Sequence, residues 1–235
     1  MISTPRRGFI GRLFGAAAAL AVPVTGVRIA SAEQAGGPGE WITDVKGKNR
    51  CFFDFPKHSN GVGLLHILNY LGTYAAAYKA APGQVGAVGT FYGIGGGASI
   101  SLAFNDAMWA KHGLGEYTGM KDTSGKPYTR NPFHRPTKNE MHLLMQAMQT
   151  PTIPMFADAM PSLGIESLQG MGTKFLLCAN ALGAWCAEFE ARGKGKAADL
   201  DKELRANMLP GVTIVPAMVI AIEQAQEAGI AYNRQ

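Results

Sequence analysis

Short apolar runs alternate with longer segments of helical periodicity along most of the chain. Residues 50–55, 85–92, 173–178 and 212–215 are brief, apolar and bounded by turn residues, as is typical of buried strands. Residues 230–232 predict a last strand at the edge of the sheet. Pro56 is expected to end the first strand because proline cannot donate to a sheet ladder.

Between these runs, apolar residues recur at the three- and four-residue spacing of amphipathic helices. The pattern predicts helices over 61–79, 98–112, 138–149, 162–171, 179–191, 194–207 and 217–228. Pro216 is expected at the first position of the last helix, and Gly229 at its end. Residues 115–136 predict a long surface loop, and Pro151, Pro154 and Pro161 predict breaks in the chain that follows.

Strands that alternate with helices indicate βαβ units and a parallel sheet. We therefore expect a three-layer α/β/α sandwich with a mainly parallel sheet of about five strands. One domain should span residues 49–235, with an inserted segment at about 116–161 and a flexible lead-in at 33–48.

The first 32 residues have the organisation of an export signal. Arg6 and Arg7 precede a weakly apolar stretch at 13–24, and small residues at Ala30 and Ala32 fit a signal-peptidase site. The Arg-Arg-x-Phe-Ile motif resembles a twin-arginine signal. It predicts cleavage after Ala32, a periplasmic location and membrane contact only during export. The alternative is a permanent anchor, for which the apolar stretch is short.

Composition excludes several classes of protein. The chain is 47% hydrophobic and 17% charged, which favours a packed globular domain over a disordered one. The net charge of +5 suggests nucleic-acid binding, but residues 1–32 hold four arginines and no acid. The remainder has 18 basic and 17 acidic residues, so we expect no nucleic-acid partner.

Cys178 is the candidate functional thiol. It ends a predicted strand and precedes a helix, where open α/β sheets bind ligands and where a helix N-terminus stabilises a thiolate. A buried structural role is the alternative, because Leu176, Leu177 and Leu182 are close in the sequence. Cys186 follows about 12 Å along the same helix, too far for a disulfide with Cys178. Cys186 and Cys51 are expected to be core residues.

A glycine-rich turn provides a second candidate site. Gly93, Gly95, Gly96, Gly97 and Ser99 follow a strand and open a helix, so their amides could hold an anion or a small ligand. A tight strand–helix turn is the alternative.

Two further polar residues are placed near this edge. Asp54 ends the first strand and is expected at the same sheet edge as Cys178, either lining a shared pocket or capping the next segment. Asn180, two residues after Cys178, is a weaker ligand-binding candidate.

Three methionines recur on one face of a predicted helix. Met141, Met145 and Met148 carry thioethers that suit Cu(I), while His142 points about 100° away. An apolar face packed on the core is the favoured interpretation, because Met is a common core residue. No motif implies a specific metal or cofactor.

Four segments are informative through their order and spacing: 102–115, 174–182, 209–217 and 226–232. Together they resemble the DsrE/DsrF-like family in an exported form, and the resemblance covers about 51–232. It implies a parallel α/β sheet, a trimeric or hexameric assembly, and a sulfur-carrier cysteine at the position of Cys178.

Two functions compete on this basis. The first is a periplasmic sulfur-relay or thiol-redox protein that uses Cys178 and exchanges sulfur with a donor or acceptor protein. The second is a non-catalytic ligand-binding or assembly protein with a pocket at the 93–99 turn.

Overall fold

A five-stranded, all-parallel sheet organises the chain. The computed structural model describes residues 39–235, so the export signal predicted at 1–32 lies outside the described residues. The strands are β1 (Asn49–Asp54), β2 (Val85–Phe91), β3 (Thr173–Cys178), β4 (Val212–Val215) and β5 (Ala231–Arg234). Their order across the sheet is β4-β3-β2-β1-β5, and every neighbouring pair is parallel. The predicted α/β sandwich is confirmed.

Ten α-helices and three short 3-10 turns connect the strands within residues 39–235. The helices are α1 (Trp41–Asp44), α2 (Val62–Ala77), α3 (Asp106–His112), α4 (Leu114–Thr118), α5 (Met141–Met148), α6 (Pro154–Leu163), α7 (Ile165–Gly170), α8 (Ala179–Ala191), α9 (Ala197–Ala206) and α10 (Met218–Glu227). The 3-10 turns are Ser59–Gly61, Ser99–Ala103 and Lys138–Glu140. In this part of the chain, no helix is long and apolar enough to cross a membrane.

The two faces of the sheet are covered unequally, as the chirality of crossovers requires. From β1 to β4, each strand lies next to the preceding one and always towards the same edge of the sheet. Because the connections between these strands are right-handed, they all lie on one face. The step from β4 back to β5 runs the opposite way and places α10 on the other face. We call these the α8 face and the α10 face.

Each face has its own apolar core. On the α8 face, Phe91 and Phe175 stack with ring centroids 5.0 Å apart, and Trp185 and Leu182 of α8 are fully buried there. On the α10 face, Phe52, Val88 and Leu176 of the sheet pack against α1 and α10. Strands β2 and β3 are buried along nearly their whole length, which explains why these two segments are nearly continuous apolar runs.

Several local predictions were wrong. The helix predicted over 98–112 is interrupted, because Phe104 is extended and the side chain of Asn105 caps a new helix through the amide of Met108. The predicted 115–136 loop includes most of α4, which begins at Leu114. Pro161 lies inside α6, two residues before its end, where only one helical hydrogen bond is lost. Pro216 precedes the last helix, which begins at Met218.

The lead-in predicted at 33–48 is packed where the structure describes it. Trp41 is 2% exposed and its ring meets Phe52 edge to face, with the centroids 6.2 Å apart. Val45 is also buried in the α10-face core. The packed domain therefore includes Trp41 and Val45, which precede the boundary at residue 49 that the sequence predicts.

Candidate functional site

The sulfur of Cys178 lies between the N-termini of two helices. Cys178 ends β3 and is the N-cap of α8, and its Sγ accepts a hydrogen bond from the amide of Ala181 at 3.4 Å. The amide of Met218, the first residue of α10, donates to the same sulfur at 3.4 Å. Both helices direct the positive end of their dipole towards this atom, so the arrangement favours negative charge on sulfur.

The pairing of β3 with β4 brings the second helix to this position. Cys178 pairs with Val215, and the amide of Asn180 donates to the carbonyl of Pro216 at 3.2 Å. Ala217 is extended with φ at −144°, which turns the chain so that the amide of Met218 faces the sulfur. Asn180 therefore helps to join the two helix starts through its backbone, and its side chain is exposed.

Burial limits access to this thiol. Cys178 is 5% exposed, and Val215 and Met218 beside it are 2% exposed. Little of this residue is therefore open to a reactant in this conformation.

The other two cysteines lie in the α8-face core. Burial raises the pKa of the Cys51 thiol to about 11 and that of the Cys186 thiol to about 12. All three cysteines are free, and neither Cys51 nor Cys186 lies at the start of a helix. Their surroundings therefore disfavour the thiolate.

Asp54 is a buried carboxylate on the α10 face of the same sheet edge. It is 2% exposed, and the hydroxyls of Tyr92 and Tyr232 donate to its two oxygens, each at 2.7 Å. Burial and the bond to Asp54 raise the pKa of Tyr92. The bond to Asp54, followed by burial, raises the pKa of Tyr232.

Asp54 and Cys178 share the edge but stand on different strands. Strand β2 lies between them, which separates their backbones by about 10 Å. Tyr92 follows β2, where Phe91 pairs with Leu177, and its side chain packs on the same core cluster as Cys178. The oxygens of Asp54 are hydrogen-bonded to tyrosines, while the hydrogen-bond donors at the sulfur are backbone amides.

The glycine-rich turn after β2 binds a carboxylate from its own chain. The amide of Gly95 donates to Oε2 of Glu188 at 3.0 Å, and Tyr117 donates to the same oxygen at 2.9 Å. Burial raises the pKa of Glu188, but the hydrogen bonds from Arg192, Tyr117 and Gly95 outweigh it and lower the pKa overall. The Gly95 amide is therefore satisfied by an internal anion.

The remaining residues of this turn hold the backbone in place. The carbonyl of Gly97 accepts from the amide of His58 at 3.0 Å, and the carbonyl of Gly96 lies 3.1 Å from the His58 ring. A side chain at Gly96 would place its Cβ 2.3 Å from the carbonyl oxygen of Tyr117, which explains the glycine. Ser99 is fully buried, and its Oγ accepts from the amide of Tyr92 at 3.1 Å. These contacts favour the structural interpretation of the turn.

The methionine-rich helix α5 packs onto the α8-face core. Met145 is 6% exposed, and Met141 and Met148 are partly buried against the same cluster. Both ring nitrogens of His142 face backbone carbonyls, those of Asn139 and Lys121. No group of three His, Cys, Asp or Glu side chains within residues 39–235 is placed to hold a metal ion.

The inserted segment has a buried polar centre that the sequence did not indicate. Glu140 is 2% exposed and accepts from Arg130 at 2.6 Å and from Tyr128 at 3.2 Å. The amide of Thr137 also donates to Glu140, at 2.6 Å, which completes a capping box. This network stabilises the insertion and contacts none of the candidate residues at the sheet edge.

The sequence did not indicate three of the groups that bond Cys178 or Asp54 at this edge of the sheet. They are the amide of Met218 and the hydroxyls of Tyr92 and Tyr232. Met218 lies 40 residues from Cys178 and Tyr232 lies 178 residues from Asp54, so no local pattern relates them. For Tyr92, the sequence pattern predicts only a position at the end of a strand.

Comparison of the chain with protein-family models, with curated proteins and with solved structures found no match.

Proposed function

We propose that this protein is a sulfur-relay or thiol-redox protein in which Cys178 carries the sulfur as a persulfide. The observation that supports it is the convergence of two amides, those of Ala181 and Met218, on the sulfur of Cys178. Helix N-termini stabilise thiolates, and the thiolate is the nucleophile in sulfur transfer. Cys178 also stands where the resemblance to the DsrE/DsrF-like family puts the sulfur carrier.

The chemistry balances with thiosulfate as the donor. The Cys178 thiolate attacks the outer, sulfane sulfur, and a new sulfur–sulfur bond forms as the bond to the sulfonate group breaks. Sulfite leaves with the bonding electron pair, and the protein retains a cysteine persulfide. An acceptor thiolate then attacks the outer sulfur of that persulfide, and the Cys178 thiolate is released.

The environment of the sulfur favours a carrier over a fast catalyst. Its two hydrogen-bond donors are backbone amides, which stabilise charge but transfer no proton. The carboxylate of Asp54 binds Tyr92 and Tyr232 instead. At 5% exposure, Cys178 admits a small inorganic donor such as thiosulfate or polysulfide more readily than the active site of another protein.

Export and assembly belong to the same proposal. The resemblance of the Arg6–Arg7 motif to a twin-arginine signal supports a periplasmic location for the mature protein. Val219 and Ile220, on the outer side of α10, are 73% and 47% exposed, and apolar surface of this kind supports a homo-oligomer. The family resemblance suggests a trimer or a hexamer.

Intact-protein mass spectrometry after incubation with thiosulfate or polysulfide tests the proposal. The wild type and Cys186→Ser should each gain the mass of one sulfur, and reduction should remove it. Cys178→Ser should fold and gain none. Equal uptake by Cys178→Ser and the wild type, or none by the wild type, would contradict the carrier role and favour a non-catalytic binding or assembly function.

A further inference from the structure

The loop after β1 contains three consecutive residues with left-handed backbone angles. Ser59, Asn60 and Gly61 have φ of 39°, 46° and 88°. This region is unfavourable for residues with a Cβ, so the surrounding structure must hold Ser59 and Asn60 there. Gly61 is required for a second reason, since a Cβ there would lie 2.3 Å from Cε1 of Phe133.

The ring of His58 holds this segment through both of its nitrogens. Nδ1 accepts a hydrogen bond from the amide of Asn60 at 3.1 Å, and Nε2 lies 3.1 Å from the carbonyl oxygen of Gly96. An amide only donates and a carbonyl only accepts. The contacts therefore assign one tautomer of the neutral ring, with its proton on Nε2.

A second proton on this ring is incompatible with the contact to Asn60. It would sit on Nδ1 and face the Asn60 N–H, so an attractive contact between donor and acceptor becomes a repulsive one between two donors. His58 is 8% exposed, which leaves its ring little room to turn to solvent. Burial lowers the pKa of His58, and the bond to Gly96 opposes that effect only in part.

The titratable groups on the surrounding elements do not change this conclusion. Lys57 and Asp54 lie on the same segment, and His142 lies on α5, which packs on the Ser59–Gly61 turn. His134 is adjacent to Phe133, which contacts Gly61. None of these groups contributes to the lowering of the His58 pKa. The glycine turn opposite the ring carries no titratable residue.

We propose that His58 is a pH-sensitive link between the left-handed Ser59–Gly61 turn and the Gly93–Gly97 turn. The neutral ring bonds both turns, and the doubly protonated ring loses its bond to the Ser59–Gly61 turn. Loss of that bond also frees the side chain of Asn60 from Gln146 of α5, which it contacts at 3.4 Å. Acidification would therefore loosen the junction between the inserted segment and the sheet edge while the sheet stays folded. This device is independent of sulfur transfer because it does not involve Cys178.

Amide hydrogen exchange of the full chain, corrected for intrinsic rates, tests the proposal at pH about 7.5 and about 5. In the wild type, protection of Asn60 should fall at least about tenfold at the lower pH, while protection of the β2 amides is retained. His58→Asn provides the matched control. An asparagine side chain can accept a hydrogen bond from the amide two residues ahead at any pH. Protection of Asn60 should therefore be the same at both pH values in this variant.

Constant protection of Asn60 in the wild type would overturn the proposal, and so would an equal loss in His58→Asn. A parallel loss in β2 would also overturn it, because that result means global unfolding. If His58→Asn does not fold, NMR of the wild-type ring nitrogens replaces it. A proton on Nδ1 at neutral pH, or protonation of the ring with no loss at Asn60, would contradict the assignment.

Discussion

The hydroxyl of Tyr232 donates to Oδ2 of Asp54 across 2.7 Å and so ties the last strand of the sheet to the first. Every residue of β5 is exposed, and among residues 39–235 its one sheet partner is β1. The amide of Gln235 adds a second link, to the carbonyl of Asp54 at 2.9 Å. One buried carboxylate therefore anchors an otherwise exposed edge strand.

Replacement of Tyr232 by Phe should loosen this strand. The variant keeps the ring but leaves one oxygen of a buried carboxylate without its donor, so the free energy of unfolding should fall by about 1 kcal/mol. Urea denaturation measures the loss. Tyr78→Phe, at a side chain that is 71% exposed, is the matched control and should be neutral. Equal stability of the two variants would show that the Asp54 contact contributes nothing.

The buried histidines should make stability depend on pH. Burial lowers the pKa of His112, and the nearby Glu203, whose Oε2 lies 3.2 Å from Nε2, opposes this only in part. The pKa values of His58 and His134 are also lowered, mainly by burial. A lowered pKa means that the unfolded chain binds more protons below about pH 6.5. The stabilisation is therefore complete above that pH and is lost as the pH falls through the folded-state pKa.

Equilibrium unfolding at several pH values between about 7.5 and 5.5 should show this decline. His112→Gln should give a flatter profile because it removes one of the contributing groups. His66→Gln, at an exposed histidine, should keep the wild-type slope. A slope in His112→Gln as steep as that of the wild type would contradict the assignment.

The amide of Met218 can be removed while the helix it begins is kept. Proline is favoured at the first position of a helix, and the extended backbone of Ala217 suits a following proline. Met218→Pro therefore deletes one donor to the sulfur of Cys178. Met218→Ala is the matched control, because it loses the same buried side chain and retains the amide.

We expect Met218→Pro to take up sulfur from polysulfide at least about tenfold more slowly than Met218→Ala, because a charge-assisted bond is worth about 1.5 kcal/mol or more. Circular dichroism checks that both variants keep their helices. Equal rates would mean that the second helix contributes nothing to the reactivity of the thiol.

Local pattern was sufficient to predict most of the sheet. The segment 173–178 is apolar, short and followed by a helical repeat, so strand β3 and helix α8 were both predicted from sequence. The break at Phe104 was not predicted, because the residues on either side keep helical spacing and only the Asn105 cap ends the first turn. Trp41 was missed because a four-residue helix has too few residues to show a period.

The candidate site was predictable only in its local part. The position of Cys178 at the end of a strand follows from its own neighbours. The second amide at its sulfur, that of Met218, is brought there by the register between β3 and β4. No local sequence pattern predicts that register. Likewise, Glu188 and Gly95 lie 93 residues apart, so nothing in the turn itself indicated that its amide binds an internal carboxylate.

The rate at which each cysteine is alkylated in the folded wild-type protein tests the central claim most directly. Brief treatment with iodoacetamide at neutral pH, followed by peptide mapping, gives a separate rate for Cys51, Cys178 and Cys186. Cys178 should be labelled first, since the proposal makes it the reactive thiol, whereas Cys51 and Cys186 should react only after denaturation. Protection of Cys178 equal to that of the two core cysteines, lost only on unfolding, would contradict the account.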